Sequence, residues 1–507
     1  MDEQPKRISN MFTEDEILKL IEKATDAAFK KFSDGYYQDA EVILNQTLKV
    51  FPNEIHALQL MGLVKHNLSK FTEAIDIFNK TIEIEPNNPE NYNNIGLCYS
   101  NNGKYDIAIE MLKKAVEINP TCSYMHSNLG LQYRNINNLN AAIECFQKSL
   151  SIEEDELTWG MLGGCYGEKR DLEEAEHCFK RSIEINPEFA GGHVDLANVY
   201  HLKGEWDKAW EEYEWRHEVF EQLKVWQTLY DPAKKWTGQP LEGKTIIVHG
   251  EQGHGDTIQF FRYIQYLKNA HVILHCSGDL ADIFSGHIDD IYTNEPSETK
   301  TEQLPDHDYH CSILSLPYLL KLKETPAFPL KITKNINLDR YSNSLKIGIV
   351  WAGNPQHPND ANRSCHLKYF QEIHDIPGVK LFSLVKDIRP RIYRFNSDPI
   401  DLTEGTEEMK IVDMAPLMNT FGDTAEIINS LDLVITVDTS VLHLAGSMGK
   451  PTWALLPWVC DWRWGTGTGT TTAWYPSVRI FRQPSKGDWH SVFSNIKKEI
   501  YNEQRLR

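Results

Sequence analysis

Several features that would quickly assign a function are scarce or missing from this chain. Its 507 residues contain nine cysteines, all standing singly (Cys98, Cys122, Cys145, Cys165, Cys178, Cys276, Cys311, Cys365 and Cys460). Without a CxxC pair or a Cys/His cluster, and with an odd number of thiols, a disulfide framework is not expected, and a reducing, cytoplasmic setting is. The 19 histidines show no HExxH or similar ligand spacing, so no metal is expected. Positive charge is in deficit: 52 Lys+Arg against 72 Asp+Glu gives a net charge of -20 and a pI ≈ 5.4. A surface that acidic repels phosphate backbones and anionic lipid, which argues against nucleic acid or a membrane surface as partner. No apolar run approaches the roughly 18 residues that span a bilayer. The opening MDEQPKRISNMFTEDE lacks the apolar core of a signal peptide. What remains, 41% hydrophobic and 24% charged, is ordinary for a globular chain whose length calls for more than one domain.

What is present first is a repeat. Pro52, Pro86 and Pro120 are 34 residues apart, and Pro187 lies two periods less one residue further on. Ala40, Ala74, Ala108, Ala142, Ala175 and Ala209 keep the same phase, as do Leu44, Phe78, Leu112, Phe146, Phe179 and Tyr213. Gly62, Gly96, Gly130 and Gly163 form a further column, and Gly35, Gly103 and Gly204 mark turns. Small residues let two helices approach while the larger column fills the space between them, and proline follows a helix it cannot continue. The pattern resembles the tetratricopeptide repeat in six copies, with Glu154 where one proline is expected and the last copy running into EWRHEVFEQ. The resemblance implies an α-solenoid whose concave surface holds a protein or peptide. Asn94 and Asn128, two residues before their glycines, are similar to the asparagine ladder of O-GlcNAc transferases, whose amides pair with an extended backbone. Leu60, Met161 and Asp195 interrupt that ladder, and ordinary solvated asparagines are the alternative.

Beyond residue 220 the period changes. Short β-branched runs appear at 244–250, 271–276, 345–353, 379–385 and 431–438, separated by helix-like stretches such as 257–268 and 424–430. Strands alternating with helices imply parallel sheets covered on both faces. The expected organisation is an N-terminal tail (1–18), six repeats (19–220), a linker (221–242), a first Rossmann-like domain (243–335) and a second (345–507). The last carries a helix over 488–503 expected to cross back and brace the first. Ligands in such sheets bind beyond the carboxyl ends of the strands.

Three loops sit there. In HGEQGHGDTIQFFRY (249–263), Gly253 and Gly255 permit a tight turn and Asp256 falls at or near a helix N-cap. It is either a cap or a base for an attacking hydroxyl. In ITVDTSVLHLAGSMGKP (435–451), Asp438 ends a strand, Thr439 and Ser440 open a helix whose N–H groups favour phosphate, and His443 shares their face. A capped helix with a core histidine is the alternative. WAGNPQHPNDANRSCHL (351–367) offers Arg363, which would fork onto a phosphate, or is a plain surface loop.

Together with WTGQPLEGKTIIVHGEQGHGDTIQF, DYHCSILSLP, FGDTAEIINSLDLVITVDTSVLHLAGSMGKP and PWVCDWRWG…WYPSVRIFRQP, these loops resemble the heptosyltransferases that act on lipopolysaccharide from ADP-heptose, joined to tetratricopeptide repeats. The resemblance covers most of 225–490 and implies a GT-B fold: a pair of Rossmann-like domains behind the repeat solenoid. It implies Asp256 as general base, with Asp438, Thr439, Ser440 and His443 gripping the donor's sugar and diphosphate. Arg363 stands where the family usually has lysine, and Gly255 and His310 fall on the acceptor side, with Asn94 and Asn128 as acceptor contacts in the repeats. The family's acidic loop before WYPS is replaced by GTGTGTTTA (465–473), read as a flexible loop, and Asp306-x-Asp308 is read as coincidence. The implied function is an inverting, metal-independent glycosyltransferase with no permanently bound cofactor. A nucleotide-diphosphate sugar serves as co-substrate, and the acceptor is a hydroxyl of a protein or glycan. The composition leaves an oligomer open. The alternative is a non-catalytic repeat scaffold carrying a lapsed transferase domain.

Overall fold

The computed structural model describes residues 13–220, 228–293, 304–322, 325–357, 359–386, 391–392, 400–467 and 469–506. Residues 1–12 of the expected tail and 221–227 of the expected linker lie outside the described residues. The chain forms two compact units that meet in sequence at Asn186 and Pro187.

In the first unit, helices pair as the periodicity dictates. They are α1 (Glu14–Ser33) with α2 (Tyr37–Val50), α3 (Ile55–Asn67) with α4 (Phe71–Ile84), α5 (Pro89–Asn101) with α6 (Tyr105–Ile118), α7 (Ser123–Asn135) with α8 (Leu139–Ile152) and α9 (Glu156–Glu168) with α10 (Leu172–Ile185). The first of these already begins at Glu14, inside the stretch expected to be tail. The glycine column works by close approach: a Cβ at Gly62 would lie 2.5 Å from Phe78, and one at Gly96, Gly130 or Gly163 would lie 2.7–2.8 Å from Leu112, Phe146 or Phe179. Ala40, Ala74, Ala108, Ala142 and Ala175 are fully buried on the second helix of each pair. Each turn between paired helices needs one left-handed residue. Gly35 and Gly103 supply it at φ 79° and 70°, but Ser69, Asn137 and Arg170 adopt it too, at 58°, 62° and 63°.

The second unit begins with the sixth repeat, α11 (Ala190–Lys203) and α12 (Trp206–Tyr213). Two parallel sheets follow. The first comprises β1 (Thr245–His249), β2 (His271–His275), β3 (Asp290–Tyr292) and β4 (Tyr309–Ser312) in the order β3-β2-β1-β4. The second holds β5 (Leu345–Val350), β6 (Val379–Ser383), β9 (Val412–Asp413), β10 (Leu433–Val437), β11 (Thr452–Leu456) and β12 (Val478–Arg482), in the order β12-β11-β10-β5-β6-β9. A two-residue hairpin, β7 (Arg391–Ile392) with β8 (Ile400–Asp401), stands apart. Strands β1, β2, β10 and β11 are buried almost end to end, as uninterrupted apolar runs in two-sided sheets should be. Each sheet reverses its winding once, between β1 and β4 and between β5 and β10, so each has one switch point where a crevice opens. The fold is therefore a tetratricopeptide solenoid followed by a GT-B pair of Rossmann-like domains.

Helix α13 (His254–Phe260) follows β1, α14 (Phe421–Asn429) precedes β10, α15 (Ser440–Ser447) follows β10, and α16 (Trp489–Leu506) ends the described chain. The stretch read as one helix over 257–268 breaks after Phe260 into a 3-10 segment, Phe261–Tyr266. The C-terminal helix corrects an expectation: it packs on the second domain rather than bracing the first. Val492, Phe493, Ile496 and Ile500 are buried, and the Phe493 ring lies 4.7 Å from that of Phe370. Arg479 of β12 donates to Glu499 at 2.8 Å, and Gln504 donates to the Pro377 carbonyl at 3.0 Å. An apolar stripe every three to four residues takes the nearest complementary face, here its own domain's.

Candidate functional site

The two switch points place the loops that the sequence singles out. After β1 the chain turns through Gly253, the N-cap of α13. Asp256 sits three residues inside the helix rather than at the cap, and its Oδ2 accepts the Gly253 N–H at 3.0 Å. That bond is the capping role expected of an acidic residue in a first turn. Its other oxygen is taken as well, because Oδ1 accepts from the Arg463 guanidinium of the second domain. Gly255, beside it, faces α15: a Cβ there would lie 2.8 Å from the His443 ring and 3.4 Å from the Ser440 Cα. Glycine is what lets α13 and α15 touch.

In the second domain, Thr439 is the N-cap of α15 but makes no side-chain bond to the helix; its hydroxyl lies 3.3 Å from that of Thr436. The leading N–H groups of α15 are thus not satisfied by that side chain, the arrangement an anion favours. His443, one turn in, is 6% exposed, and its Nδ1 lies 2.9 Å from the Tyr475 hydroxyl. Burial, followed by Arg463, Arg262 and Arg363, holds its pKa well below the ordinary imidazole range, so it is neutral. Its Nε2 is 3.9 Å from Asp438 Oδ1. Burial, reinforced by the neighbouring Asp461, raises Asp438 to about 6.

Arg363 closes the third side. It ends a single helical turn, Asp360–Arg363, donates from Nε to Asp360 at 3.1 Å and from Nη1 to the Asp438 carbonyl at 3.1 Å. Gly353, just past β5, leaves room for it: a Cβ there would collide with the guanidinium. Asp256, Gly255, Arg363, Asp438, Thr439, Ser440 and His443 are therefore gathered around the facing starts of α13 and α15.

Other candidates stand elsewhere. His310 lies within β4, paired in register with Ile247, and is 8% exposed. Its Nε2 bonds the Asp231 carbonyl at 3.0 Å and its ring stacks 4.6 Å from Tyr230, so it fastens the segment before β1 to the sheet. Asn94 and Asn128 belong to the first unit, where Asn128 bonds to the preceding repeat and Asn94 to its own neighbour. Asn128 donates to Asn93 Oδ1 at 2.9 Å, and Asn93 donates to Asn94 Oδ1 at 3.4 Å. Asp308 binds Lys244 and the Thr245 N–H, both at 2.9 Å, as a strand-end brace. Among the described residues, no group of three or more His, Cys, Asp or Glu is placed to hold a metal ion.

Sequence reasoning left out the groups that fasten the site. Arg463, with its side chain 7% exposed, bonds Asp256, Asp461 at 2.8 Å and Gln259 at 2.7 Å. Although burial works against its charge, Asp461 and Asp256 hold its pKa above the ordinary arginine value. Arg216, just after the sixth repeat, is wholly buried and bonds Glu251 and Glu214, each at 2.8 Å, and Ser315 at 2.8 Å. Glu251 lies in the glycine loop itself. The signal was present, since Arg463 stands in PWVCDWRWG and Glu251 in HGEQGHGD, but no local spacing tells which partner either takes.

Four successive segments, 55–88, 89–122, 124–156 and 158–189, match tetratricopeptide repeat models, and 400–465 matches glycosyltransferase family 9 (heptosyltransferase). The chain thus combines tetratricopeptide repeats, a protein-interaction repeat, with a heptosyltransferase-family segment that contains Asp438, Thr439, Ser440, His443, Asp461 and Arg463. Among curated proteins it is similar to the protein FlbA of Caulobacter vibrioides, 24% identical over 296 residues, which is 52% of this chain and 48% of that protein. It is also similar to a mitochondrial pentatricopeptide repeat-containing protein of Arabidopsis thaliana, 27% identical over 195 residues, 37% of this chain and 24% of that one. The chain thus spans from about a quarter to about half the length of these relatives. Among solved structures, MamA is 25% identical with a TM-score of 0.30, covering 34% of this chain and 98% of that one. PilF of Pseudomonas aeruginosa is 16% identical with a TM-score of 0.37, covering 42% and 100%. Among the described residues, no helix is long and apolar enough to cross a membrane.

Proposed function

We propose that the second unit is a sugar-nucleotide-dependent glycosyltransferase, inverting and needing no metal, that glycosylates a hydroxyl of a protein or glycan. The observation that carries this reading is the meeting of two switch-point loops: Gly255 and Asp256 of the first domain lie directly against His443, Ser440 and Arg463 of the second. The nucleotide diphosphate rests on the start of α15 with Arg363 beside it. Asp256 takes the proton of the acceptor hydroxyl as its oxygen bonds the anomeric carbon from the face opposite the diphosphate. The bond from that carbon to the diphosphate breaks, and the nucleoside diphosphate leaves with the electron pair. The Arg363 guanidinium and the helix N–H groups stabilise that leaving charge. Neutral His443 contributes a hydrogen bond rather than a charge. The repeats support a protein acceptor, with a glycan as the other class.

Thermal unfolding against ADP-, GDP-, UDP-, CMP- and dTDP-sugars tests the reading. Ligand at about 100 times its dissociation constant stabilises by roughly 2.7 kcal/mol. A shift with one base that disappears in His443→Ala is the expected result; none with any of them, from folded protein, favours the scaffold. With donor and acceptor in hand, Asp256→Asn should lower kcat by about 10²–10⁴-fold, and full activity in that variant would remove Asp256 as base.

A further inference from the structure

Residues 461–464 form one turn whose side chains reach three different parts of the second unit: the sixth repeat, α13 and α15. Asp461 accepts the Arg463 N–H at 3.0 Å and its guanidinium at 2.8 Å. Trp462 stacks on His201 of the sixth repeat, with ring centroids 3.9 Å apart and planes at 18°. Trp464 lies over His443, centroids 5.6 Å apart. Arg463 spans the two domains to Asp256, its guanidinium 4.4 Å above the Trp462 ring.

The charges around it do not favour an incoming anion. Asp256, Asp360, Asp438 and Asp461 surround Arg363 and Arg463, and each guanidinium is already paired. A phosphate entering at α15 beside Arg363 and Arg463 competes with those carboxylates for the two guanidinium groups. Arg363 is pinned by Asp360 and by the Asp438 carbonyl. Arg463 is held through Nε by Gln259, through Nη1 by Asp461 and across its face by Trp462, and its third corner, Nη2, carries the bond to Asp256. Guanidinium groups bind phosphate and carboxylate through the same planar fork, so this corner can exchange one for the other without the rest of the side chain moving.

We propose that Arg463 is a positioning residue shared between two anions: without ligand it occupies Asp256, and an anion bound at the start of α15 draws its outer N–H groups away and frees the Asp256 carboxylate. This rests on the transferase reading above. It makes the base available only when the donor is seated, so that a proton is not taken from a hydroxyl with nothing to attack.

Competition for one guanidinium has a signature that a structural strut lacks: removing the carboxylate strengthens anion binding. The test is calorimetric titration of the full chain with inorganic pyrophosphate and with ADP, GDP, UDP, CDP and dTDP. It compares the unaltered protein with Asp256→Asn, Arg463→Gln, Arg463→Lys and the Asp256→Asn/Arg463→Gln double variant. Coupling of the usual size predicts affinity about fivefold or more higher in Asp256→Asn. Affinity falls in Arg463→Gln, recovers in part in Arg463→Lys, and gains nothing from Asp256→Asn once Arg463 is gone. If the unaltered protein binds a probe and Asp256→Asn leaves its affinity unchanged or weaker, this inference falls and the transferase reading stands. If the unaltered protein binds none of the probes, both fall. Should Arg463→Gln fail to fold, judged by its unliganded melt, the Asp256→Asn comparison decides alone.

Discussion

In the first unit a residue's partner is found by counting. Gly62 meets Phe78, Gly96 meets Leu112, and Gly130 meets Phe146, each sixteen residues on. In the second unit Asp256 meets Arg463 at a separation of 207 residues, and Arg262 reaches the Trp474 carbonyl at a separation of 212. The first kind of contact is made again in every repeat, so the unit is held by many copies of one interaction. The second kind is made once. Loss of one repeat contact should therefore cost stability and little else, whereas loss of one long-range contact should cost the site while much of the fold survives.

The largest expected effect lies on the repeat side. Phe146→Ala empties the space opposite Gly130 and should destabilise by about 3–5 kcal/mol, read by denaturant unfolding. Nucleotide binding by the second unit should persist, and its loss would break the comparison. Next come two matched glycines. Gly130→Ala and Gly255→Ala both place a Cβ 2.8 Å from a ring, and overpacking of that kind costs about 1–3 kcal/mol. The Gly130 change should show in the melting curve alone. The Gly255 change, against His443 and the Ser440 backbone, should weaken nucleotide-sugar binding by more than its stability cost explains.

A titration sharpens the contrast further. Asp438 has its pKa raised to about 6, so ionising it in the folded state works against folding. The penalty is full above about pH 6, shrinks as pH falls through that value, and vanishes below the ordinary carboxylate range. Asp438→Asn should therefore be more stable than the unaltered chain at pH 7.5, by on the order of 1–3 kcal/mol, with the difference closing toward pH 4. A constant difference across that range would show that the group does not titrate as its burial implies. The smallest effect belongs to the turns: Ser69 holds φ 58° where Gly35 and Gly103 stand in sister repeats. Ser69→Gly should stabilise by about 0.5–1 kcal/mol in urea unfolding.

The repeats were legible because each residue's role recurs at a fixed interval, so Ala74 and Ala108 explain each other. Only turns such as Ser69 and Asn137 hid, since their left-handed backbone is imposed by the two helices they join. The sheets were legible as apolar runs, and Asp256, Arg363 and His443 could be proposed because their loops follow such runs and resemble those of a known family; the strand order that makes those loops switch points was not legible. Arg463 and Arg216 were not, because a buried arginine looks like any other until its carboxylates are brought to it. The C-terminal helix went astray for a related reason. Val492, Phe493 and Ile496 announce an apolar face, but not which domain supplies its partner.

The sixth repeat continues the periodicity, with Ala209 and Tyr213 in phase, yet its His201 and Trp210 lie against Trp462, and the compact units part before it. The boundary of the motif and the boundary of the cooperative body are thus different lines on the same chain. Anyone grafting a foreign array onto this second unit, or evolution lengthening the native one, has a usable seam near residue 186 and none at 220, where the motif ends. The repeat beyond that seam is no longer free to vary as a module, because it has become part of the half it precedes.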